Sequence, residues 1–97
     1  MARLVILPAA RQDLVEIGDF IALDNPARAM SFLAEIEAKM AMTAERPGTF
    51  PSRSELQPGL RSARHGRYPI FFQEVGDEVR IVRVLHGARD LPRALDT

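Results

Sequence analysis

The strongest constraint on how this chain can fold is a pair of apolar runs separated by a short turn sequence. Residues 68–74 and 79–85 are rich in aromatic and branched aliphatic side chains, and residues 75–78 read Val-Gly-Asp-Glu. Gly76 can adopt a positive φ angle, and Asp77 belongs to a residue type that favours turns. The segment therefore predicts a β-hairpin.

The second run of this hairpin contains a cation among apolar residues. Side chains alternate between the two faces of a strand, so residues 79, 81 and 85 would share one face with Arg83, and residues 80, 82, 84 and 86 would share the other. A guanidinium is rarely buried without a partner. We therefore expect an internal ion pair for Arg83, with Asp90 as the candidate partner.

A cluster of cationic side chains surrounds the hairpin. Residues 60–64 predict a third strand, and residues 61–68 contain three arginines and no acidic residue. Such a cluster is typical of a surface that attracts anions, although a solvated hairpin also carries charge for solubility alone. Spacing alone leaves both interpretations open. The candidate target-binding residues are Arg61, Arg64, Arg67, Arg83, His86 and Arg89.

The amino-terminal half predicts one strand followed by two helices. Residues 3–7 form a short apolar run ended by a proline, which is too short for a helix and fits a strand. Leu14, Ile17 and Ile21 then recur at intervals of three and four residues, which predicts an amphipathic helix. Its charged residues, Asp13 among them, are expected on the other faces. Asn25 suits a helix N-cap, so a second helix should follow in a helical hairpin.

The second helix carries an apolar stripe made of Ala29, Leu33, Ile36 and Met40, widened by Phe32. This stripe could be a surface for a partner helix, but the sheet needs an apolar cover, and the core interpretation is therefore favoured. The charged residues at positions 35, 37 and 39 are expected to face water. Residues 49–58 show no periodicity and predict a loop.

These elements combine into one small α+β domain. The predicted order is β-α-α-β-β-β, with a two-helix hairpin packed on one face of a small, mainly antiparallel sheet. A chain of 97 residues can bury one core, so residues 1–97 are expected to form a single domain. The other face of the sheet and at least one edge would then be available to a partner strand.

Composition restricts the possible partners. The formal net charge is +0, but residues 1–57 hold six basic and eight acidic side chains, whereas residues 58–97 hold seven and five. We therefore expect a local cationic surface and no direct, sequence-specific DNA binding. The absence of Cys excludes disulfides and thiolate metal sites. Neither a signal peptide nor an apolar run of about 20 residues is visible, so a cytoplasmic protein without a membrane partner is expected.

Several motifs together resemble one protein family. They read GLR at 59–61, HGRY at 65–68, IFF at 70–72 and RVLHGARD at 83–90, and DLVEI at 13–17 with DNP at 24–26 extends the likeness to the helices. The chain resembles the ParE branch of the RelE/ParE toxin superfamily, the plasmid-stabilisation type of toxin in type II toxin–antitoxin systems. The resemblance implies the same element order, inhibition of DNA gyrase by binding, and neutralisation by a cognate ParD-like antitoxin.

Catalysis is the alternative that the superfamily raises. RelE-like toxins cleave messenger RNA on the ribosome without metal, using basic side chains and often a tyrosine near the carboxyl terminus. Here Tyr68 is the single tyrosine and Lys39 the single lysine, so that set is incomplete. His86 is the best acid–base candidate, because imidazole titrates near neutrality, but ordering of the turn at Gly87 is the favoured role. We therefore expect no catalytic residue and no metal or other cofactor.

The antitoxin implied by the resemblance would fold an acidic or amphipathic segment onto the toxin. Such a segment lays apolar anchors along a groove and offers carboxylates to arginine. The predicted antitoxin-binding residues are Phe20, Leu23 and Phe32. The alternative functions are a ribosome-dependent messenger RNA endoribonuclease of the RelE kind and a non-toxic binding module.

Overall fold

The computed structural model describes residues 2–87 and contains the six elements that the sequence predicts. They are β1 (Arg3–Ile6), α1 (Pro8–Ala22), α2 (Pro26–Glu45), β2 (Leu60–His65), β3 (Tyr68–Val75) and β4 (Glu78–Val84), with a short 3-10 turn at Pro47–Thr49. The expected β-α-α-β-β-β order is therefore confirmed. Within residues 2–87, no helix combines the length and the hydropathy that crossing a bilayer requires.

The four strands form one sheet in the order β1-β4-β3-β2. β3 pairs with β2 and β4 in antiparallel fashion, whereas β1 runs parallel to β4. The expectation of a mainly antiparallel sheet is therefore confirmed. The two hairpin turns contain Gly66 and Gly76, with φ angles of 58° and 61°. Glycine adopts this left-handed conformation without steric cost, so both tight turns can form.

The two helices pack closely because α1 has no side chain at Gly18. A Cβ atom at this position would lie 2.9 Å from Cδ1 of Leu33 in α2, which is closer than carbon atoms normally pack. The turn between the helices is capped by Asn25, whose Oδ1 accepts a hydrogen bond from the Arg28 amide at 3.0 Å. Pro26 follows at the start of α2. The predicted helical hairpin and its N-cap are both present.

The hydrophobic core lies between the helices and one face of the sheet. Ile36 and Met40 of α2 are fully buried against Phe72 and Ile81 of the central strands. The apolar stripe of α2 is therefore part of the core, as the need to cover the sheet predicts. Burial of such side chains is the main favourable term in the stability of a domain of this size.

The opposite face of the sheet is less open than expected. Leu60 and Phe71 are fully buried there, and Leu56 from the loop after α2 packs against them. The Arg53 guanidinium of the same loop lies 5.6 Å from the centroid of the Phe71 ring. The segment predicted to be a loop therefore covers part of the face that the helices leave uncovered.

β4 contains a bulge, and the strict alternation expected of it is wrong beyond Ile81. The pairing register between β3 and β4 shifts between Phe71 and Phe72, so β4 has one extra residue at this point. A bulge of this kind re-aims the side chains that follow it. Val84 therefore belongs to the helix-side core, and Leu85 packs on the other side of the sheet.

Candidate functional site

The candidate site is the end of the sheet at which the β2–β3 turn meets the end of β4. The Leu85 amide donates to the Pro69 carbonyl at 3.1 Å, and the Gly87 amide donates to the Arg67 carbonyl at 2.9 Å. These two bonds hold the chain after β4 against the start of β3. We call the group of side chains at this end the hairpin-end surface: Arg64, His65, Arg67, Tyr68 and His86.

Aromatic rings support the hairpin-end surface from behind. The centroids of the Tyr68 and His86 rings are 5.1 Å apart, and their planes are inclined by 52°. The Phe32 ring of α2 lies 5.5 Å from Tyr68 in an edge-to-face contact and 5.1 Å from His65. Each contact of this kind contributes about 0.5–1.5 kcal/mol beyond the burial of area. Tyr68 is therefore held in place, whereas His86 at the outer end is exposed.

The positive charge at this surface is available to a partner. Arg64 and Arg67 are exposed, and neither guanidinium has an ion pair or hydrogen bond in the part of the chain that the structure describes. Residues 56–73 and 79–87 contain no Asp or Glu. Two such cations at one end of a sheet can attract and orient an anionic group.

Arg61, the first of the predicted target-binding arginines, lies apart from this surface. Its Nη1 atom donates to the Phe50 carbonyl at 2.8 Å, and its Nε atom is 3.9 Å from the Glu74 carboxylate. Arg61 therefore anchors the loop after α2 to the sheet. The structure brings Arg64 and Arg67 to the candidate site and leaves Arg61 in a structural contact.

Arg83 is also engaged inside the protein. Its Nε and Nη2 atoms donate to Oδ2 and Oδ1 of Asp13 in α1, both at 2.8 Å. The Val84 amide donates to the same Oδ2 atom at 2.9 Å. The hydrogen bonds to Asp13 raise the pKa of Arg83 above its usual value. Arg83 is thus paired with Asp13, while the predicted partner Asp90 and the candidate Arg89 lie outside the described residues.

The expectation that Asp13 lies on a polar face of α1 is wrong. Asp13 is only 8% exposed, and it lies three residues after Ala10 and four before Ile17, both of which are buried. Helical spacing therefore places it on the core-facing side. A buried carboxylate requires a cation and hydrogen-bond donors, and Arg83 supplies both. The helical spacing of Asp13 from Ala10 and Ile17 is the sequence signal that could have predicted its burial.

A second polar network ties α2 to the hairpin-end surface. His65 Nε2 lies 2.7 Å from Oε1 of Glu35, and Arg28 donates to both carboxylate oxygens of Glu35, at 2.7 and 3.2 Å. The hydrogen bonds from Arg28 and then from His65 lower the pKa of Glu35 to about 2. The Arg28 guanidinium also lies 5.1 Å from the centroid of the Phe32 ring. Glu35 is partly exposed to water, and it also contacts His65 because the β2–β3 turn reaches α2 at this point.

Exposed apolar side chains occur where α1 ends. Phe20 is 70% exposed and Leu23 is 83% exposed. They are three residues apart, so they lie on the same side of the helix end. Phe32, the third residue predicted to bind the antitoxin, is half-buried because its ring packs against His65 and Tyr68. Phe20 and Leu23 are therefore accessible to a partner, and Phe32 mainly supports the hairpin-end surface.

The chemistry available at this surface is charge attraction and ring stacking. Among the residues that the structure describes, no three His, Cys, Asp or Glu side chains are placed to hold a metal ion together. Of the two histidines, His65 contacts a carboxylate and His86 contacts the Tyr68 ring. The guanidinium groups of Arg64 and Arg67 can bind carboxylate or phosphate oxygens in pairs.

These features define a class of protein: a small α+β domain with a helical hairpin on one sheet face and exposed cations at one end of the sheet. Residues 4–91 match the family described as the ParE toxin of the type II toxin–antitoxin system parDE. The chain therefore belongs to the ParE toxin family. The resemblance seen in the sequence motifs is confirmed.

Similar proteins agree with this assignment. Toxin ParE1 of Caulobacter vibrioides is 36% identical over 59 residues, which are 61% of this chain and 60% of that toxin, so the match spans less than two thirds of the relative. A solved structure described as the chromosomal ParDE TA system from P. aeruginosa superposes with a TM-score of 0.78 at 22% identity. It covers 91% of this chain and 98% of its own. At that identity the likeness shows a shared fold alone.

Proposed function

We propose that this protein is the toxin of a type II toxin–antitoxin pair and that it inhibits DNA gyrase by binding, without catalysis. Membership of the ParE toxin family over residues 4–91 supports the toxin role. The mode of action rests on the hairpin-end surface, where Arg64 and Arg67 are exposed at the end of the sheet that also carries the paired rings of Tyr68 and His86. A cationic surface of this kind steers a large anionic partner and fixes its orientation.

An inhibitor that works in this way needs to break no bond. It binds one conformation of the gyrase–DNA complex more tightly than the others and thereby holds the enzyme there. A 100-fold preference corresponds to about 2.7 kcal/mol, which a few well-placed charged contacts can supply. The backbone bond between Arg67 and Gly87 and the ring contacts of Tyr68 keep the surface in one arrangement, so little ordering is required on binding.

A ParD-like antitoxin neutralises the toxin in this proposal. Phe20 and Leu23 offer exposed apolar contacts for its segment, and Phe32 offers a half-buried one. A segment that orders on binding loses conformational entropy, so it requires apolar anchors of this kind. Carboxylates on the same segment would bind Arg64 and Arg67 and cover the surface that contacts the target.

The proposal also includes the cellular setting. Inhibition of gyrase requires a cytoplasmic protein, since gyrase acts on DNA in that compartment. Loss of the antitoxin would free the toxin to arrest growth. This outcome fits the plasmid-stabilisation role that the resemblance in sequence implies. The absence of Asp and Glu from residues 56–73 keeps the surface cationic at the pH of the cytoplasm.

Two parallel assays test the proposed function. Purified toxin is titrated into gyrase acting on relaxed plasmid, with trapping of cleaved DNA, and into ribosomes programmed with messenger RNA. We expect supercoiling to fall with rising toxin, to recover on addition of the cognate antitoxin, and no codon-positioned RNA cuts to appear. Unaffected supercoiling at large toxin excess, together with such cuts, would support a RelE-type ribonuclease instead. Expression without antitoxin that leaves growth unchanged would indicate a non-toxic binding module.

A further inference from the structure

The outer edge of β1 is a second surface of this protein at which a partner can bind. We propose that two copies of this chain associate through this edge, by antiparallel pairing of β1 with β1 of the second copy. The pairing joins the two four-stranded sheets into one. The inference goes beyond the proposed function, because it concerns a different surface and a partner of the same sequence.

The backbone hydrogen-bonding groups of β1 alternate in direction. The amides of Arg3 and Leu7 donate to the carbonyl groups of residues 77 and 81, at 2.8 and 3.0 Å, so the odd-numbered residues point toward β4. The amide and carbonyl groups of the even-numbered residues consequently point away from β4. β1 is the last strand of the sheet, and none of the other strands described pairs with it on that side. Leu4 and Ile6 therefore direct their backbone donors and acceptors to the outer edge.

Both ends of this unpaired stretch are closed. The Ala2 amide belongs to the same even-numbered series, but it donates to a carbonyl in the last turn of α2 at 3.1 Å. Pro8, at the other end, has no N–H group. The groups left for a partner strand are therefore those of Leu4 and Ile6, which lie symmetrically about Val5.

A stretch with this symmetry is complementary to itself. A two-fold axis perpendicular to the sheet at Val5 places Leu4 opposite Ile6 of the second copy. In an antiparallel pair, two residues that face each other through their backbone groups exchange both hydrogen bonds. The axis repeats this pair once, so the backbone groups that residues 4 and 6 direct outward all find partners.

The side chains of β1 favour an apolar partner strand. Leu4 and Ile6 pack against the helix-side core, and Val5 is half-buried on the other face of the sheet. On that face, Leu56 from the loop after α2 packs at the β2 side, around Leu60. The paired arrangement brings the two Val5 side chains together across the axis, with Cβ atoms about 4.5–5.5 Å apart. Self-association therefore removes further apolar surface from water.

Charge at this edge favours a second copy over an acidic segment. Arg3 is the single charged residue of β1, and it binds Glu78 of β4. Arg80, the neighbour of Val5 in β4, donates to the same carboxylate at 2.9 Å. Two copies therefore meet through neutral side chains without repulsion. An acidic antitoxin segment finds both of these arginines already paired, whereas β1 itself supplies an apolar strand.

The helix that follows β1 leaves the edge accessible. α1 starts directly after β1 but turns back over the sheet, since Asp13 in its second turn binds the Arg83 guanidinium and the Val84 amide of β4. α1 thus lies over the neighbouring strand and not outside β1. A second sheet can approach the edge in the plane of the first.

Sedimentation equilibrium of the chain over a concentration series tests this inference. The paired stretch is short compared with a standard interface of about 1,600 Å², so the dimer should be weak, with a Kd of about 10 µM to 1 mM. The weight-average mass should rise from the monomer value of 10.8 kDa toward twice that value. A mass that stays at the monomer value up to about 1 mM would overturn the inference.

Charged substitutions at Val5 locate the interface. Val5→Glu and Val5→Lys each place two like charges at the axis, so each variant alone should be monomeric. An equimolar mixture places opposite charges there and should associate at least roughly tenfold more tightly than either variant alone. Val75→Glu and Val75→Lys are the matched controls, because Val75 is 40% exposed on β3, which has a strand on each side.

The Val75 controls should self-associate as the unmodified chain does, and circular dichroism checks that all four variants are folded. A dimer that persists in both Val5 variants would place the interface elsewhere and overturn the inference. A mixture of the folded Val5 variants that does not associate would do the same.

Hydrogen exchange of single amides, followed by NMR, provides a readout in the unmodified chain. The amides of Leu4 and Ile6 should exchange more slowly as the protein concentration rises, because pairing protects them. The amides of Arg3 and Leu7 bind β4 in either state and should change little. Exchange of Leu4 and Ile6 that does not depend on concentration would contradict pairing at this edge.

The antitoxin is the other possible occupant of this edge. A chain that is monomeric at all concentrations, with Leu4 and Ile6 protected only after addition of the cognate antitoxin, would assign the edge to the antitoxin and overturn the inference. Gyrase is absent from these measurements, so their failure leaves the proposed function intact. A dimer that does not inhibit gyrase supports the inference and contradicts the proposed function alone.

Discussion

Asp13 of α1 and Arg83 of β4 are 70 residues apart in sequence and are joined by two hydrogen bonds of 2.8 Å. The same carboxylate accepts the Val84 amide, so it binds the backbone of β4 just after the bulge. The chain continues from this point to His86 and the hairpin-end surface. The pair therefore connects the helical layer to the strand end that carries the candidate site.

Replacing Asp13 by alanine should destabilise the fold. The change removes the acceptor of the Arg83 guanidinium and of the Val84 amide at a position where Asp13 is only 8% exposed. We expect the free energy of unfolding, measured by urea denaturation, to fall by roughly 2–4 kcal/mol. Asp19→Ala on the exposed side of α1 is the control and should change it by less than about 0.5 kcal/mol. Equal stability of Asp13→Ala and the unmodified chain would mean that the pair does not secure β4.

The contact of Glu35 with Arg28 and His65 should make stability depend on acid pH. The pKa of Glu35 is lowered from 4.5 to about 2 in the folded state, so its stabilising effect is complete above pH 4.5 and is lost as the pH falls toward 2. The effect is moderate, because Glu35 is half-exposed and solvent screens it. In urea denaturation, the stability difference between the unmodified chain and Glu35→Gln should shrink over this range. Glu37→Gln should show no such trend, and a pH-independent difference for Glu35→Gln would refute the prediction.

Gly18 should tolerate a methyl group but not a larger side chain. Alanine gains about 1 kcal/mol in helix propensity, which offsets the small shift that Leu33 must make to clear a contact of 2.9 Å. A leucine at this position has no room between α1 and α2, and overpacking of this kind costs roughly 1–3 kcal/mol. Thermal denaturation should therefore place Gly18→Ala near the unmodified chain and Gly18→Leu clearly below it. A Gly18→Leu variant of undiminished stability would contradict the close packing of the helices.

Phe20→Ser with Leu23→Ser should weaken binding of the cognate antitoxin without loss of stability. These side chains are 70% and 83% exposed, so they contribute little to the core and are free to act as apolar anchors. We expect the Kd measured by calorimetry to rise at least roughly tenfold. Val15→Ser with Met42→Ser removes apolar side chains that are 54% and 49% exposed and serves as the matched control. An unchanged Kd in the first variant would place the antitoxin elsewhere.

Local features of the fold could be predicted from the sequence because they depend on neighbouring residues. The start of α2 at Asn25 follows from side-chain capping, and the turn at Gly76 follows from its freedom to adopt a positive φ angle. The apolar stripe of α2 followed from helical periodicity and the need to cover a sheet. Such preferences require no knowledge of the rest of the fold.

Features that depend on distant contacts could not be predicted in the same way. The bulge in β4 appears only when β3 and β4 are aligned, and the contact between Glu35 and His65 joins residues 30 apart. The different surroundings of Arg61 and Arg64 could have been predicted, however, because these two residues are three positions apart on one strand. An odd spacing places side chains on opposite faces, and the structure accordingly gives them different surroundings.

The central claim is that the exposed cations of the hairpin-end surface make this toxin act by binding, and gyrase supercoiling tests it most directly. Arg64→Gln with Arg67→Gln should leave the melting temperature nearly unchanged, since both side chains are exposed. We predict that this variant requires at least roughly tenfold more protein for half-inhibition, whereas Arg11→Gln with Arg46→Gln inhibits as the unmodified chain does. Equal inhibition by the two double variants would contradict the claim.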